Sequence, residues 1–570
     1  MKTNLRKPIG RLLQTFGLAV AISLTMLGSA FAQSAPTTFT RITTGAIATD
    51  PGTSFAGVWG DYNNDGLEDL FVPNFDGQND YLYQNNGGGN FTRILTGSPV
   101  TDGAYSQDAV WGDYDNDGYL DLFVGVGRLA GPRSNLLYRN QGNGTFAKIT
   151  SDPIVTNLHI TVGCSWGDYD NDGYIDLFAA NTGLSVSSQN KNALYRNNGS
   201  GSFTRILSGQ LVNDSAQSQS CAWGDYNNDG KLDLFVANSG NNFLYRNDGN
   251  GAFTTITNGH IVNGGGSSVG SAWGDYDNDG FLDLFVGNGV TDVETNFLYR
   301  NTGTGTFDRV TTGAIATDTE GFTGCAWADY DNDGFLDLCV CEYQSGSNFL
   351  YHNNGNGTFS KVTTGRIVND GGDSTGCAWA DYDNDGFLDL FVANYGSGQV
   401  NFLYRNDGNT NQWLKIKCVG GPSNRAAIGA KVRVQAQNGV GALSWQMREI
   451  SGGQGYGQNS LIAHFGLGNA TNAQTVRIEW PSGIVQTLTN VAAKQLLTVT
   501  EPPLLQASLS NGSFQLLLTD SIGSTSAIEG STDLAVWTSL VTVTNTIRTV
   551  RFADSAATNE KYRFYRTVSR

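Results

Sequence analysis

Residues 113–121 read DYDNDGYLD and place four carboxylates within nine residues: Asp113, Asp115, Asp117 and Asp121. Counted from the first Asp, positions 1, 3, 5 and 9 offer side-chain oxygens, position 7 offers a carbonyl, and position 6 is glycine. Hard cations such as calcium take six to eight oxygens at about 2.3–2.6 Å, and alternate side chains converge on one ion where glycine permits a sharp turn. A plain hairpin, which Asp-Gly favours, accounts for positions 5 and 6 only. It leaves the other carboxylates repelling each other.

The pattern occurs seven times. The ligand sets it defines are Asp61, Asn63, Asp65 and Asp69; Asp113, Asp115, Asp117 and Asp121; Asp168, Asp170, Asp172 and Asp176; Asp225, Asn227, Asp229 and Asp233; Asp275, Asp277, Asp279 and Asp283; Asp329, Asp331, Asp333 and Asp337; and Asp381, Asp383, Asp385 and Asp389. Up to seven calcium ions, one per repeat, are expected. Asn63 and Asn227 keep an oxygen but lose a charge, so those two loops should bind more weakly. These sets hold half of the 52 acidic residues. The formal charge of −18 and pI near 4.6 repel phosphate backbones, so no nucleic-acid partner is expected.

The elements that must position these loops repeat with them. The first Asp recurs every 50–57 residues, and each unit carries four strand-like runs, in the fifth copy SAWGDY, LDLFVGN, NFLYRN and TFDRVTTG. Four alternating strands per repeat at this period indicate propeller blades. From the tyrosine of each LYRN-type run to the next repeat's first Asp is always 30 residues, whereas the stretch from the last Asp to that tyrosine varies from 12 to 19. All length variation thus falls between the second and third strands, on one rim. After Tyr404 the expected Phe is Gln412, but Phe39 has the phase of the missing fourth strand. The fold class expected is all-β: a seven-bladed propeller closed by an N-terminal strand, followed by two small β domains.

Lys2, Arg6, Lys7 and Arg11 precede the apolar run 18–30 and an Ala30-Phe31-Ala32 site, the three parts of an export signal. Cleavage after Ala32 is expected, with a secreted or periplasmic product. The apolar run is too short to span a bilayer, and no later segment is apolar enough. Losing the four basic groups takes −18 to −22, and seven divalent ions would bring it to −8.

The sevenfold DxDxDGxxD series over residues 37–408 resembles the FG-GAP/VCBS repeat family, whose propellers include the integrin α-subunit head. The AWGD or AWAD run in place of the FG signature lies nearer the bacterial VCBS branch. The resemblance implies calcium in the hairpin between the first two strands of each blade, and ligands on the opposite face. SNRAAIGAKVRV (423–434), MREISGGQGYGQNS (447–460), HFGLG (464–468) and VRIEWPSG (476–483) resemble an ASPIC/UnbV domain, which follows such propellers in the cartilage acidic protein family. The expected organisation is 1–32 signal peptide, 37–408 propeller, 409–500 ASPIC/UnbV-like β domain and 501–570 a small sandwich-like module, in which Trp537 should be core.

If Asp329 sits opposite Asp337 around one ion, Cys325 faces Cys341 and the two could be bridged. SGGQGYGQN lacks the Lys-Ser/Thr ending of a phosphate loop and reads as turn structure. Arg425, Arg448 and Glu449 could pair within their domain or meet a partner. His159, His260, His352 and His464 form no evident catalytic set. The expected function is a monomeric, non-enzymatic binding module for a glycan, matrix or surface protein partner, in adhesion or recognition. The alternatives are a polysaccharide lyase or hydrolase with a dispersed site, and a spacer that presents the C-terminal domains.

Overall fold

The computed structural model describes residues 37–569 except 128–130, 184–190, 290–293, 345, 438–442, 511–512, 555–556 and 558–562. The expected export signal lies outside the described residues. Among the described residues, the repeats form seven four-stranded antiparallel sheets. Sheets 1 to 7 begin with the inner strands Val58–Gly60, Ser106–Gly112, Thr161–Gly167, Gln217–Gly224, Ser268–Gly274, Phe322–Ala328 and Ser374–Ala380. The acidic loop joins each inner strand to the second, and the variable connection joins the second to the third. The fourth strand of sheet 7 is Phe39–Ile42, paired with Phe402–Asn406 in the register Phe39↔Asn406.

The tryptophan of each inner strand sits between sheets. Its indole N–H donates to a carbonyl of the preceding sheet's inner strand, Trp111 to Val58 and so on round to Trp59 to Ala378, at 3.1–3.3 Å. Six of these indoles also stack on the loop tyrosine of the preceding sheet, at interplanar angles of 8–12°. Aromatic burial of this kind dominates the core energetics. The bond from Trp59 links the first sheet to the seventh, so the sheets form a continuous circuit of hydrogen-bonded neighbours.

Residues 412–500 form a sheet of Ala463–Gly468, Gln412–Val419 and Leu496–Thr500 and another of Leu443–Glu449, Lys431–Gln437, Asn472–Glu479 and Val485–Ala492. Beyond them lie two three-stranded sheets, one with Leu504–Ser510 and Ser513–Thr519, the other with Thr525–Ser531 and Phe564–Ser569. There Trp537 is not core: it is half-exposed, with the Arg566 guanidinium 4.4 Å over its ring.

The expected cysteine bridge is absent. Cys325 pairs with Val340, because Ala328, rather than Asp329, lies opposite Asp337. The first Asp stands one residue beyond the strand, and a register shift of one sends a side chain to the other face. All seven cysteines are free and buried.

Candidate metal centres

In the loop of sheet 2, Asp113 accepts the N–H groups of Asp117 at 3.0 Å and Gly118 at 2.8 Å. Asp117 accepts the N–H of Tyr119, and Asp121 accepts those of Asn140 and Tyr114. Position 6 glycine has φ of 82–99° in all seven loops, a region closed to most side chains. Position 4 is asparagine in every copy, at φ 54–59°, which Asn tolerates. Its amide donates to the position 6 carbonyl of the next loop: Asn64 to Gly118, Asn116 to Gly173, and onward to Asn384 to Gly66, at 2.8–3.2 Å. The sequence reading passed over this residue as a non-ligand, although its presence in all seven copies marks it.

Carboxylate oxygens of Asp113, Asp115 and Asp121 lie within 4.8 Å of one another, as do those of Asp168, Asp170 and Asp176, of Asp275, Asp277 and Asp279, and of Asp329, Asp331 and Asp337. Burial, reinforced by neighbouring carboxylates, pushes Asp121, Asp176, Asp283, Asp337 and Asp389 well above the usual carboxylate range. Burial likewise takes Asp69 to about 8 and Asp233 to about 9, and the Oδ2 atoms of both are buried without a hydrogen-bond partner. Those two belong to the loops with Asn63 and Asn227, whose position 3 amides accept the N–H groups of Asp65 and Asp229. Clustered, buried, under-satisfied oxygens on a glycine turn fit a hard cation, so these clusters can hold a metal ion.

Arginines of the third strand also reach the loops. Arg139 pairs with Asp115 and Asp117, Arg196 with Asp170 and Asp172, and Arg300 with Asp277 and Asp279. Arg246 and Arg405 instead pair with Asp248 and Asp407, two residues along the chain. The difference is legible: YRNDG supplies its own acid, and YRNQG, YRNNG and YRNTG do not. In sheet 6 the position is His352, whose Nδ1 is 3.5 Å from Asp331 and 3.2 Å from Asp337.

The first Asp of three loops meets a lysine from residues 411–500. Lys415 Nζ lies 2.5 Å from Asp381, Lys417 Nζ 3.3 Å from Asp61, and Lys431 Nζ 2.8 Å from Asp225. In the sixth loop the backbone N–H of Gly466 donates to Asp329. The three residues left open between a domain role and a partner all face this surface. Arg425 donates its N–H to Asn116, Glu449 accepts the Asp225 N–H, and half-buried Arg448 neighbours Asp275 and Asp329. The C-terminal sheets therefore cap the metal-loop face.

SGGQGYGQNS is more than a turn, because it enters the channel between the inner strands. Trp166 N–H donates to Gly452 O, Trp59 N–H to Gln458 O, and Ser460 N–H to Trp379 O. Gln458 and Asn459 side chains add bonds to Trp111, Trp327 and Trp379. The glycines permit this closeness: a Cβ on Gly452 would lie 2.2 Å from Trp166 O, and one on Gly455 2.1 Å from Ser220 Cβ.

The histidines lie apart. His159 is buried beside Asn181 in the sheet 3 region, His260 starts a short helix, and His464 lies on a cap strand with its Nε2 against Gly386 O. Among the described residues, no helix is long and apolar enough to cross a membrane.

The FG-GAP-like repeat model matches residues 61–124, 127–179, 183–236, 225–286, 288–340 and 329–392, and the ASPIC and UnbV model matches 420–504. Cartilage acidic protein 1 of Homo sapiens is 32% identical over 187 residues, and that of Mus musculus 31%. Each match covers 30% of this chain and 27% of the relative, so it spans about a quarter of those proteins. Among solved structures, an Agrocybe aegerita lectin is 16% identical with a TM-score of 0.41, over 60% of this chain and 86% of that one. BBS1N in complex with ARL6DN is 12% identical with a TM-score of 0.41, over 65% and 97%.

Proposed function

This chain belongs to the FG-GAP-like repeat family, and from that premise we propose that it is a secreted, calcium-stabilised β-propeller that recognises a glycan, matrix or surface protein partner without catalysing a reaction on it. The oxygens at positions 1, 3, 5 and 9 of each loop are the calcium ligands. A bound ion supplies the positive charge that the crowded carboxylates lack. The observation that carries the reading is the asymmetry of the two faces. The cap covers the metal-loop face and the 451–460 segment enters the channel, while the variable connections stand on the other face, where binding residues concentrate on a rigid scaffold.

The test is binding of residues 33–570 to an array of glycans and matrix proteins, in calcium and in chelator. Specific capture that needs calcium and is lost when the second-to-third-strand connections are exchanged between sheets is expected. Capture indifferent to those exchanges would refute recognition through this face and favour the spacer.

A further inference from the structure

At the mouth opposite the cap, the seven inner strands surround a cavity of about 450 Å³, within the usual range for small-molecule sites. Its lining comes from the starts of inner strands and the ends of second strands in all seven sheets, and from Tyr456 of the inserted segment. The insertion thus turns a channel into a blind cup with Tyr456 in its wall. Tyr456 is held at φ 61°, which is costly for a bulky residue.

The wall combines an aromatic arc with polar groups, and Ile160, Val162 and Val269 add aliphatic surface. Along sheets 6, 7, 1 and 2 runs an arc of rings: Tyr343 to Tyr395 at 5.8 Å, Tyr395 to Phe55 and Phe55 to Phe75 at 5.2 Å, and Phe75 to Tyr105 at 5.3 Å. Tyr456 stacks on Phe55 at 6.2 Å. Amides and hydroxyls face in from sheets 2, 3 and 4 through Gln107, Gln217, Gln219 and Thr182. Among the described residues, no charged side chain lines the cup; the Arg133 guanidinium lies 5.3 Å over Tyr105, at the end of the arc and outside the lining. Asp108 beside Tyr456 is buried and accepts the N–H groups of Cys164 and Tyr456.

From this geometry, and resting on the recognition reading above, we infer that the cup seats one neutral pyranose ring at the end of a saccharide. An ionised ligand would bury its charge without a counter-charge. A wholly apolar ligand would leave the buried Oε1 of Gln107 without a partner, whereas Gln217 already donates to Gly183 O. A sugar ring has both required surfaces: a C–H face for the negative face of an aromatic ring, and hydroxyls that donate and accept, as each glutamine amide does.

The experiment is calorimetric titration of residues 33–570, in calcium, with the methyl glycosides of glucose, galactose, mannose and N-acetylglucosamine, and with methyl glucuronide. At least one neutral glycoside should bind, and the glucuronide about tenfold more weakly or not at all. Phe75→Ala and Tyr395→Ala should each weaken binding about tenfold or more, with Phe75→Leu and Tyr395→Leu as variants that keep apolar volume and guard against misfolding. Binding that survives all four substitutions would place the sugar elsewhere and overturn the cup while leaving glycan recognition standing. Equal or tighter binding of the glucuronide would overturn the neutral specificity. Absence of binding by every neutral glycoside would overturn the inference outright, and the array would then decide the wider reading separately.

Discussion

Replacing Lys431 by Met tests whether the cap lysines and the metal loops share one electrostatic account. Lys431 and Asp225 are each 5% exposed and 2.8 Å apart, and the same ammonium donates to Asp225 O and lies 4.0 Å from Glu449. Two unit charges at that distance attract by about 6 kcal/mol at an effective dielectric constant of 20, and desolvation offsets much of it. Deleting one partner of a buried pair costs about 3–5 kcal/mol, because the other charge stays buried. Met preserves the apolar stem, so lost packing is a small part of the effect. Lys417 supplies the internal control: it is 36% exposed at 3.3 Å from Asp61, and such a pair is worth about 0–1 kcal/mol. Denaturant unfolding of residues 33–570 in chelator should therefore show a loss of about 3–5 kcal/mol for Lys431→Met and at most about 1 kcal/mol for Lys417→Met. Calcium in the Asp225 loop supplies the missing charge, so the Lys431→Met deficit should shrink when calcium is added. By reciprocity the variant should bind calcium more tightly by the same free energy. Equal losses for the two variants in chelator, or a deficit untouched by calcium, would refute the reasoning.

Three further outcomes are expected. Asn227→Asp restores a carboxylate beside Asp229 and Asp233 and should raise that loop's calcium affinity about tenfold, read by calcium titration against the parent. Burial lowers His159 to about 4 and His464 to about 3. Their native forms are neutral, so this contribution is intact above the unfolded pKa near 6.5 and is lost as pH falls toward the folded values. The stability advantage of the parent over His159→Gln should therefore shrink by up to about 3 kcal/mol between pH 7 and 4, measured as the difference between their unfolding curves. In Gly376→Ala, the new Cβ would fall 2.1 Å from Tyr456 O and 2.6 Å from Phe55 O, both backbone atoms. It should dislodge the inserted segment, costing about 1–3 kcal/mol or more and opening residues 451–460 to limited proteolysis; unchanged protection would contradict the seating described.

The repeat, the blade composition and the phase of Phe39 were legible because they are local or periodic. A period of 50–57 residues and a fixed 30-residue spacing need no tertiary knowledge. The acidic clusters were legible for the same reason, since the alternating spacing alone brings carboxylates such as those of Asp113, Asp115 and Asp121 together. What escaped were contacts between distant segments. Nothing near Lys415, Lys417 or Lys431 in sequence announces an acid more than 30 residues away in one case and more than 350 in another. SGGQGYGQN read as turn structure, because the reason for its glycines, close approach to the inner strands, lies in other sheets. The cysteine pairing failed by one residue of register, the smallest error that moves a side chain across a strand. Trp537 was misplaced because a lone aromatic carries no information about which face of a short sheet is covered.

The fourth strand of sheet 7 has a consequence in time. Phe39–Ile42 is made before any other strand of the array, yet its partner, Phe402–Asn406, is made after all of them. The two ends then meet directly, with Asp407 N–H donating to Thr38 O at 2.9 Å and the Thr38 hydroxyl donating to the Asp407 carboxylate. Throughout synthesis the first strand waits with its edge unpaired, and sheet 7 cannot be completed from a truncated chain. Pairing at such sequence separation is slow to form and exposes edges meanwhile. Completion of the array thus reports that the chain has been made through residue 406, and only afterwards does the segment that fills the channel arrive.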